Sequence, residues 1–431
     1  MKPGQIDPPL CVLIAPSGLK EALSASAAAD AMAAGVVRAM PDAHVLKSPM
    51  IDGGEGFTEA LVARTRGTIH PVHVTGPLGE PVEACFGMLG GDKVAVIEVA
   101  SAAGLALIPP GRRDPTRTTS YGIGELILAA LDHGADEILI GCGDSGVNDA
   151  GAGMAQALGI RLLDAAGRDI GRGGAALARL GRIDLSRRAD RLGKVRIRAA
   201  VNWQNVLLGD RGVTRVYAAQ KGATASQVTE LEHALANFCD CIEQSTGVDV
   251  RQAPGTGASG GLGAGLVAFA GASLHPRFDL LLDFTDFEAH LAAADIVLTA
   301  EGEIDGRSVL GKVPGEVGRR AAARGIPVIA LAGAIGQGGE VVLDHGIDAF
   351  ASIADGCRTR EEAIRNSAAL LERAAESAMR MVAAGMRIRP RVASGLKARA
   401  AAPFRDGPAT RRTPAADPAG TPPGRAVRSR E

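Results

Sequence analysis

The chain has 431 residues, of which 46% are hydrophobic and 22% charged, with a formal net charge of −1. That length calls for two cores rather than one, and the near-neutral balance gives no whole-chain basis for gripping nucleic acid or a membrane. Aromatics amount to 3% with a single tryptophan, which argues against a base-stacking nucleic-acid surface.

The charge is unevenly placed. From Arg387 onward eleven Lys/Arg stand against three Asp/Glu, so the body is acidic and the tail basic. Segment 388–431 is Pro, Ala, Arg and Gly without an apolar period, and is expected to be a disordered basic tail. The six cysteines contain no C-x-x-C and the eight histidines no ligand spacing, so structural zinc is not expected. No signal-peptide pattern or membrane-length apolar run is present, so the expected setting is cytoplasmic, with reduced thiols.

In chain order, residues 11–15 (C-V-L-I-A) have the pattern of a buried strand, and a turn through Lys20 follows. Residues 22–40 carry Leu23, Ala27, Met32 and Val36 in helical register until Pro41 stops the helix. Residues 44–46 read as the next strand, completing a β-α-β start that favours a parallel sheet. Asp52-Gly-Gly-Glu55-Gly then leads into an amphipathic helix. The loops with Lys20 and with Asp52 thus both follow strand ends, the edge at which open α/β sheets bind ligands.

Beyond Thr75 the style changes. A turn-rich T-G-P-L-G-E-P precedes paired strands at 82–87 and 94–98, and an irregular piece leads to a helix over 124–133. After a strand at 137–140 comes G-C-G-D-S-G-V-N-D-A-G-A-G-M, residues 141–154, running into a helix. Such a glycine-dense turn exposes backbone N–H groups that hold an anion, most often phosphate. A plain phosphate cradle needs no carboxylates, whereas this loop carries Asp144 and Asp149. Chemistry with Mg²⁺, or with a hydroxyl losing its proton, does need them.

Residues 160–163 and 195–200 read as strands, with a polar, turn-like 167–192 between them. Lys221 reads as a turn residue before a long helix whose start, Thr224 with Gln227, is a capping-box candidate. P-G-T-G-A-S-G-G-L-G-A-G, residues 254–265, is a second glycine-rich stretch. A strand at 295–299 and a loop at 300–307 bring Glu301, Asp305 and Arg307, with Gly311-Lys312 just after. Helices and strands then alternate to a last helix over 360–384. The expected fold class is α/β with two α/β domains. One is a Rossmann-like parallel sheet built from both ends of the body, 1–75 and 285–387, and a second α/β domain, 76–284, is inserted between them.

Two segments match G-x-G-x-x-G: Gly141, Gly143 and Gly146, and Gly255, Gly257 and Gly260. The first follows a strand, opens a helix and has Asp164 one strand later, as in a dinucleotide fingerprint. An NAD(P)-dependent hydroxy-acid dehydrogenase is therefore an alternative, and a non-catalytic sugar-acid or nucleotide-binding regulator is another. No Walker A Gly-Lys-Ser/Thr occurs, which excludes a P-loop kinase. Asp52 with Glu55, Asp144 with Asp149, and Glu301 with Asp305 each sit in a glycine-rich loop after a strand. Lys20 and Lys312 occupy similar places. Phosphoryl transfer needs that set: carboxylates for a metal, cations for phosphates, and a carboxylate for the acceptor's proton.

Taken together, these segments resemble the bacterial glycerate kinases of the glycerate 2-kinase type, from about residue 12 to 384 and not in the tail. The carriers are A-P-S-G-L-K-E-A-L-S-A (15–25), D-G-G-E-G (52–56), T-G-P-L-G-E-P (75–81) and T-T-S-Y-G-I-G-E-L-I (118–127). N-D-A-G-A-G-M (148–154), Q-K-G-A (220–223), P-G-T-G-A-S-G-G-L-G-A (254–264), T-A-E-G-E-I-D-G (299–306) and G-K-V-P (311–314) complete them. The resemblance implies an ATP- and Mg²⁺-dependent kinase that phosphorylates glycerate, usually on the 2-hydroxyl, with a cleft between two α/β domains. The chain departs from the family pattern at Asp144 and Val147 in the first loop, and at Ser17-Gly18. It departs again at Asn202, Trp203 and Val206, and at Glu303 and Arg307.

These readings assign roles. Gly141, Gly143, Ser145, Asn148, Gly255, Gly257 and Gly260 are expected to hold the phosphates of ATP. Asp144, Asp149 and Glu301 are expected to hold Mg²⁺. Asp52 or Asp305 is expected to accept the hydroxyl proton while Lys20 and Lys312 offset phosphate charge, with Glu55 and Arg307 toward the substrate. A small-molecule hydroxy acid is the expected partner, with neither nucleic acid nor membrane.

Overall fold

The β-α-β start forms where the sequence places it, in a computed structural model that describes residues 9–19, 22–50, 53–91, 93–356 and 359–388. Strand β1 (Cys11–Ile14) and strand β2 (His44–Lys47) flank the helix Ala25–Ala39. The Ser24 side chain caps that helix by accepting from the Ala27 N–H at 3.2 Å. Its buried face is Ala28, Ala29, Met32 and Val36, the three-and-four spacing of one helical stripe.

The later strands are β3 (Thr68–Thr75), β4 (Pro81–Met88), β5 (Val94–Glu98), β6 (Glu137–Gly141), β7 (Arg161–Leu163), β8 (Arg182–Asp184), β9 (Arg196–Val201) and β10 (Ser273–Pro276). Strands β11 (Ile296–Ile304), β12 (Val328–Ile335) and β13 (Ala349–Ser352) follow. The first sheet has the order β13-β12-β11-β1-β2, entirely parallel. It draws on both ends of the body. Within β1, Val12 and Ile14 pack into one core with Met32, Leu298 and Leu371, and Leu13 into another with Val297, Val317 and Phe287. That period-two division is why this strand is apolar throughout: both of its faces are covered.

The second sheet has the order β10-β9-β6-β5-β4-β3. Its β10, β9, β6 and β5 are mutually parallel, while β4 and β3 add an antiparallel meander. The chain therefore leaves the first sheet after β2 rather than at residue 75. Strand β3 pairs with β4 along Thr68↔Met88 to Thr75↔Pro81, because the short turn between them allows only an antiparallel neighbour. The preceding helix, Phe57–Thr65, also goes with the second sheet, since Phe57, Leu61 and Val62 share a core with Val96, Leu139 and Ala200.

Two local expectations resolve differently. Part of the stretch expected to be turn-like forms a small ribbon, β7 against β8. Strand β11 runs on through Glu301 to Ile304, paired with β12 up to Ile304↔Ile335, so Glu301 is a strand residue. The Thr224–Gln227 capping box is present as read, at the head of the helix Ala225–Thr246. Among the described residues no helix is long and apolar enough to cross a membrane. The residues through Ala384 form one compact unit. Lys20, Asp52 and the expected disordered tail beyond Ile388 lie outside the described residues.

Candidate functional site

Two groups of side chains lie at the C-terminal ends of parallel strands. The first is the loop between β6 and the helix Ala152–Ala157. It needs left-handed backbone at Asp144 (φ 45), Ala150 (φ 51) and Gly151 (φ 77). The loop is pressed between two other segments. A Cβ on Gly143 would lie 2.5 Å from Gly54 Cα, and the Glu55 N–H donates to Asp144 Oδ2 at 3.3 Å. The glycine loop after β2 and the one after β6 are thus brought together.

On the other side sits the second glycine-rich stretch. A Cβ on Gly260 would fall 1.9 Å from the Val147 carbonyl oxygen, and one on Gly257 would fall 2.1 Å from that of Val206. Gly257 N–H already donates to Asn205 O at 3.2 Å, and Gly260 O accepts from Ala150 N–H at 3.1 Å. These glycines exist to let two loops touch. They are placed as packing positions for the first loop, and the Gly257 N–H is not left to a phosphate. Gly255 (φ +82) belongs to the same stretch, against Val201.

Asp149 needs the plainest correction. It is fully buried, and its carboxylate accepts from Ser120 N–H (2.8 Å), Ser120 Oγ (3.0 Å), Gly151 N–H (3.2 Å) and Gly153 N–H (3.1 Å). Those donors lie at the starts of the helices Tyr121–Asp132 and Ala152–Ala157, where backbone N–H groups lack intrahelical partners. Burial nevertheless raises its pKa against the pull of those donors. Asp149 is an anchor for two helix ends and is not gathered with Asp144 and Glu301. Among the described residues no group of three His, Cys, Asp or Glu is placed to hold a metal ion.

Asn148 is also buried, donating through Nδ2 to Thr214 Oγ1 at 2.9 Å, while its Oδ1 is buried with no hydrogen-bond partner among the described residues. The residue that sequence reading missed is Lys221. Its Nζ enters the loop to donate to Ser145 Oγ (3.2 Å) and Val147 O (2.6 Å). The side chain is buried, and desolvation lowers its pKa to about 7. The sequence signals were a lysine just before a capped helix, which locally reads as a turn, and its place in the Q-K-G-A motif.

The second group lies after β11. Asp305, 6% exposed, is held by Arg307 through Nε at 2.9 Å and Nη2 at 2.7 Å. Lys312 Nζ stands 3.5 Å from Asp305 Oδ1 and 3.7 Å from Glu301 Oε1, and Ser308 Oγ reaches Glu301 Oε2 at 3.4 Å. Burial of Asp305 works against its charge, but Arg307 and Lys312 outweigh burial and hold its pKa below the ordinary carboxylate value. Glu301, Asp305, Arg307 and Lys312 are therefore brought together as the sequence placed them. Arg307 pairs with Asp305 from the exposed side.

The two groups are joined across the sheets. Cys142 N–H donates to Ala200 O at 3.0 Å, tying the first loop to the end of β9. Two residues on, Asn202 Nδ2 donates to Leu310 O at 2.9 Å, and the Arg277 guanidinium donates to Gly311 O. Asp164, the acid of the dinucleotide pattern, is instead taken by its own turn, from Ala166 N–H and Arg168 N–H, both at 2.9 Å. It is not presented to a ribose.

The profile of the glycerate kinase family matches residues 12–383. The chain is 45% identical over 366 residues to a glycerate kinase of Halalkalibacterium halodurans, covering 85% of this chain and 96% of that one. It is 44% identical over 376 residues to the glycerate 2-kinase of Escherichia coli, covering 87% and 99%. A crystal structure of a proposed glycerate kinase 2 from Salmonella typhimurium LT2 superposes with a TM-score of 0.70 at 43% identity, covering 88% of this chain and all of that one.

Proposed function

The chain belongs to the glycerate kinase family, and we infer from that membership and from the Asp305 constellation that it transfers the γ-phosphoryl group of ATP to glycerate. The acceptor is the 2-hydroxyl, giving 2-phosphoglycerate. The observation that carries this is Asp305: a carboxylate kept charged by Arg307 and Lys312, just beyond the C-terminal end of a parallel strand.

In a loose phosphoryl-transfer transition state the acceptor proton leaves late, so a carboxylate of ordinary or lowered basicity suffices to orient the hydroxyl and receive the proton. Lys312, shared between Glu301 and Asp305, is placed to meet charge on the transferring group. Arg307, which pairs with Asp305 while remaining largely exposed, is assigned to the carboxylate of glycerate. Gly141, Gly143 and Ser145 remain the assigned phosphate contacts, with Lys221 bracing them from within. Mg²⁺ is held largely by phosphates and one or two carboxylates in such sites, which fits a donor set without a three-acid cage. We assign it to Glu301 and Asp144. The metal supplies charge neutralisation on the phosphates.

The two sheets are read as the two domains, with the reaction in the cleft between them and in the cytoplasm. A dehydrogenase is not supported, since Asp164 is engaged locally, and the relatives named above carry the name of a kinase rather than a regulator. The test is incubation with Mg-ATP and D-glycerate, following ADP release and identifying the product by phosphorus NMR. 2-Phosphoglycerate is expected. 3-Phosphoglycerate would overturn the attacked hydroxyl, and no ADP release the activity.

A further inference from the structure

Beside the site a cleft of about 520 Å³ opens between the end of β9, the start of the helix Arg277–Leu281 and the flank of the helix Val313–Ala322. That volume lies within the usual range for a small-molecule pocket. We propose that this cleft receives the adenine base of ATP, with Trp203 as the ring against which it lies. The proposal rests on the kinase reading above and adds the place of the nucleotide's base.

The walls fit a flat, uncharged ring. Val201, Trp203, Pro276, Phe278, Val309 and Ala322 supply apolar surface. The cations lining it are already engaged: Arg319 grips Glu316 at 3.1 and 2.7 Å, and Arg277 donates to Gly311 O. Asp279 is taken by Arg320 at 2.5 Å. Asp344 remains on the rim, which disfavours a triphosphate and, with Gln204, offers acceptors to an exocyclic amine.

Trp203 is 41% exposed at this cleft, where a large flat ring is suited to lie against a planar base. Its location is also right in the chain. Val201 packs where a Cβ on Gly255 would come within 2.6 Å, and Asn202 bonds Leu310 at 2.9 Å. The cleft thus borders the second glycine-rich stretch and the segment that ends in Lys312, which puts the base next to the residues assigned to phosphoryl transfer.

Trp203 is the single tryptophan of the chain, so its emission reports this cleft alone. The full chain is titrated with ATP, ADP, inorganic tripolyphosphate and D-glycerate. ATP and ADP are expected to change the emission, and tripolyphosphate and D-glycerate to leave it unchanged. The same change with tripolyphosphate or D-glycerate alone would overturn the proposal. Ala322→Phe, at an exposed position on the cleft wall, is expected to raise KM for ATP about tenfold with KM for glycerate and Tm unchanged. An unchanged KM for ATP would overturn it as well. Turnover without a nucleotide-dependent emission change sinks the base site and spares the kinase reading. The emission change without phosphoglycerate formation does the reverse.

Discussion

Lys221 Nζ lies 2.6 Å from the carbonyl oxygen of Val147, although the two residues are 74 positions apart in the chain. The contact puts an ammonium inside the loop assigned to phosphate, bracing its backbone from the protein side.

That burial has a pH signature. Desolvation lowers Lys221 to about 7 from the ordinary lysine value of 10.5, against the pull of Asp149. Between those values the unfolded chain binds a proton that the native one does not, so stability rises with pH there. Below about 7 both states are protonated and the full cost of burying the charge is present. Lys221→Met removes that cost. Its stability relative to wild type, from urea unfolding, is expected to be higher at pH 6 than at pH 9 by on the order of 2 kcal/mol. The same difference at both pH values would contradict the placement.

Asp149 holds four donors at two helix starts. Asp149→Ala leaves them buried without an acceptor, and a loss of about 3 kcal/mol or more in unfolding free energy is expected. A metal ligand would behave otherwise: stability would hold and the Mg²⁺ requirement would change.

Asp305→Asn is expected to lower kcat by about two to four orders of magnitude with the fold intact. Arg307→Ala tests what keeps Asp305 charged. The pKa of Asp305 is depressed, so activity that needs its carboxylate is lost as pH falls through that lowered value. Without Arg307 the pKa rises, and the acidic limb of the kcat/KM profile moves to higher pH. An unmoved limb in Arg307→Ala would assign that limb to another group.

Two glycines separate crowding from backbone strain. Gly260 (φ +70) would place a Cβ 1.9 Å from Val147 O, whereas Gly79 (φ +85) has nothing within 4 Å. Gly79→Ala is expected to cost about 1 kcal/mol, the left-handed strain alone. Gly260→Ala should cost at least about 3 kcal/mol and reduce turnover, because the loop after β6 must move. Calorimetry of both variants checks the difference. Equal losses would show that the contact yields easily.

Much of the site was legible because its signals are local. The acids and cations after β11 sit a few residues apart, so Glu301, Asp305, Arg307 and Lys312 meet in the structure as they meet in the sequence. Asp149 was misread for the opposite reason. In sequence it neighbours Asn148 in a glycine-rich loop and looks like a ligand. Its main partner, Ser120, is 29 residues away. Gly257 and Gly260 matched a nucleotide pattern because close backbone approach requires glycine whether the neighbour is a phosphate or another loop.

The sequence alone determined the strands of the first sheet, its parallel assembly from both ends of the body and the glycine-rich loops that follow strand ends. Apolar runs and Gly/Pro punctuation act through neighbouring residues. Only the tertiary structure decided that β3 belongs to the second sheet, that Asp149 anchors two helices and that Lys221 fills the loop after β6. Each depends on which distant groups lie within hydrogen-bond or van der Waals reach, and a buried charge or polar group takes its role from those partners.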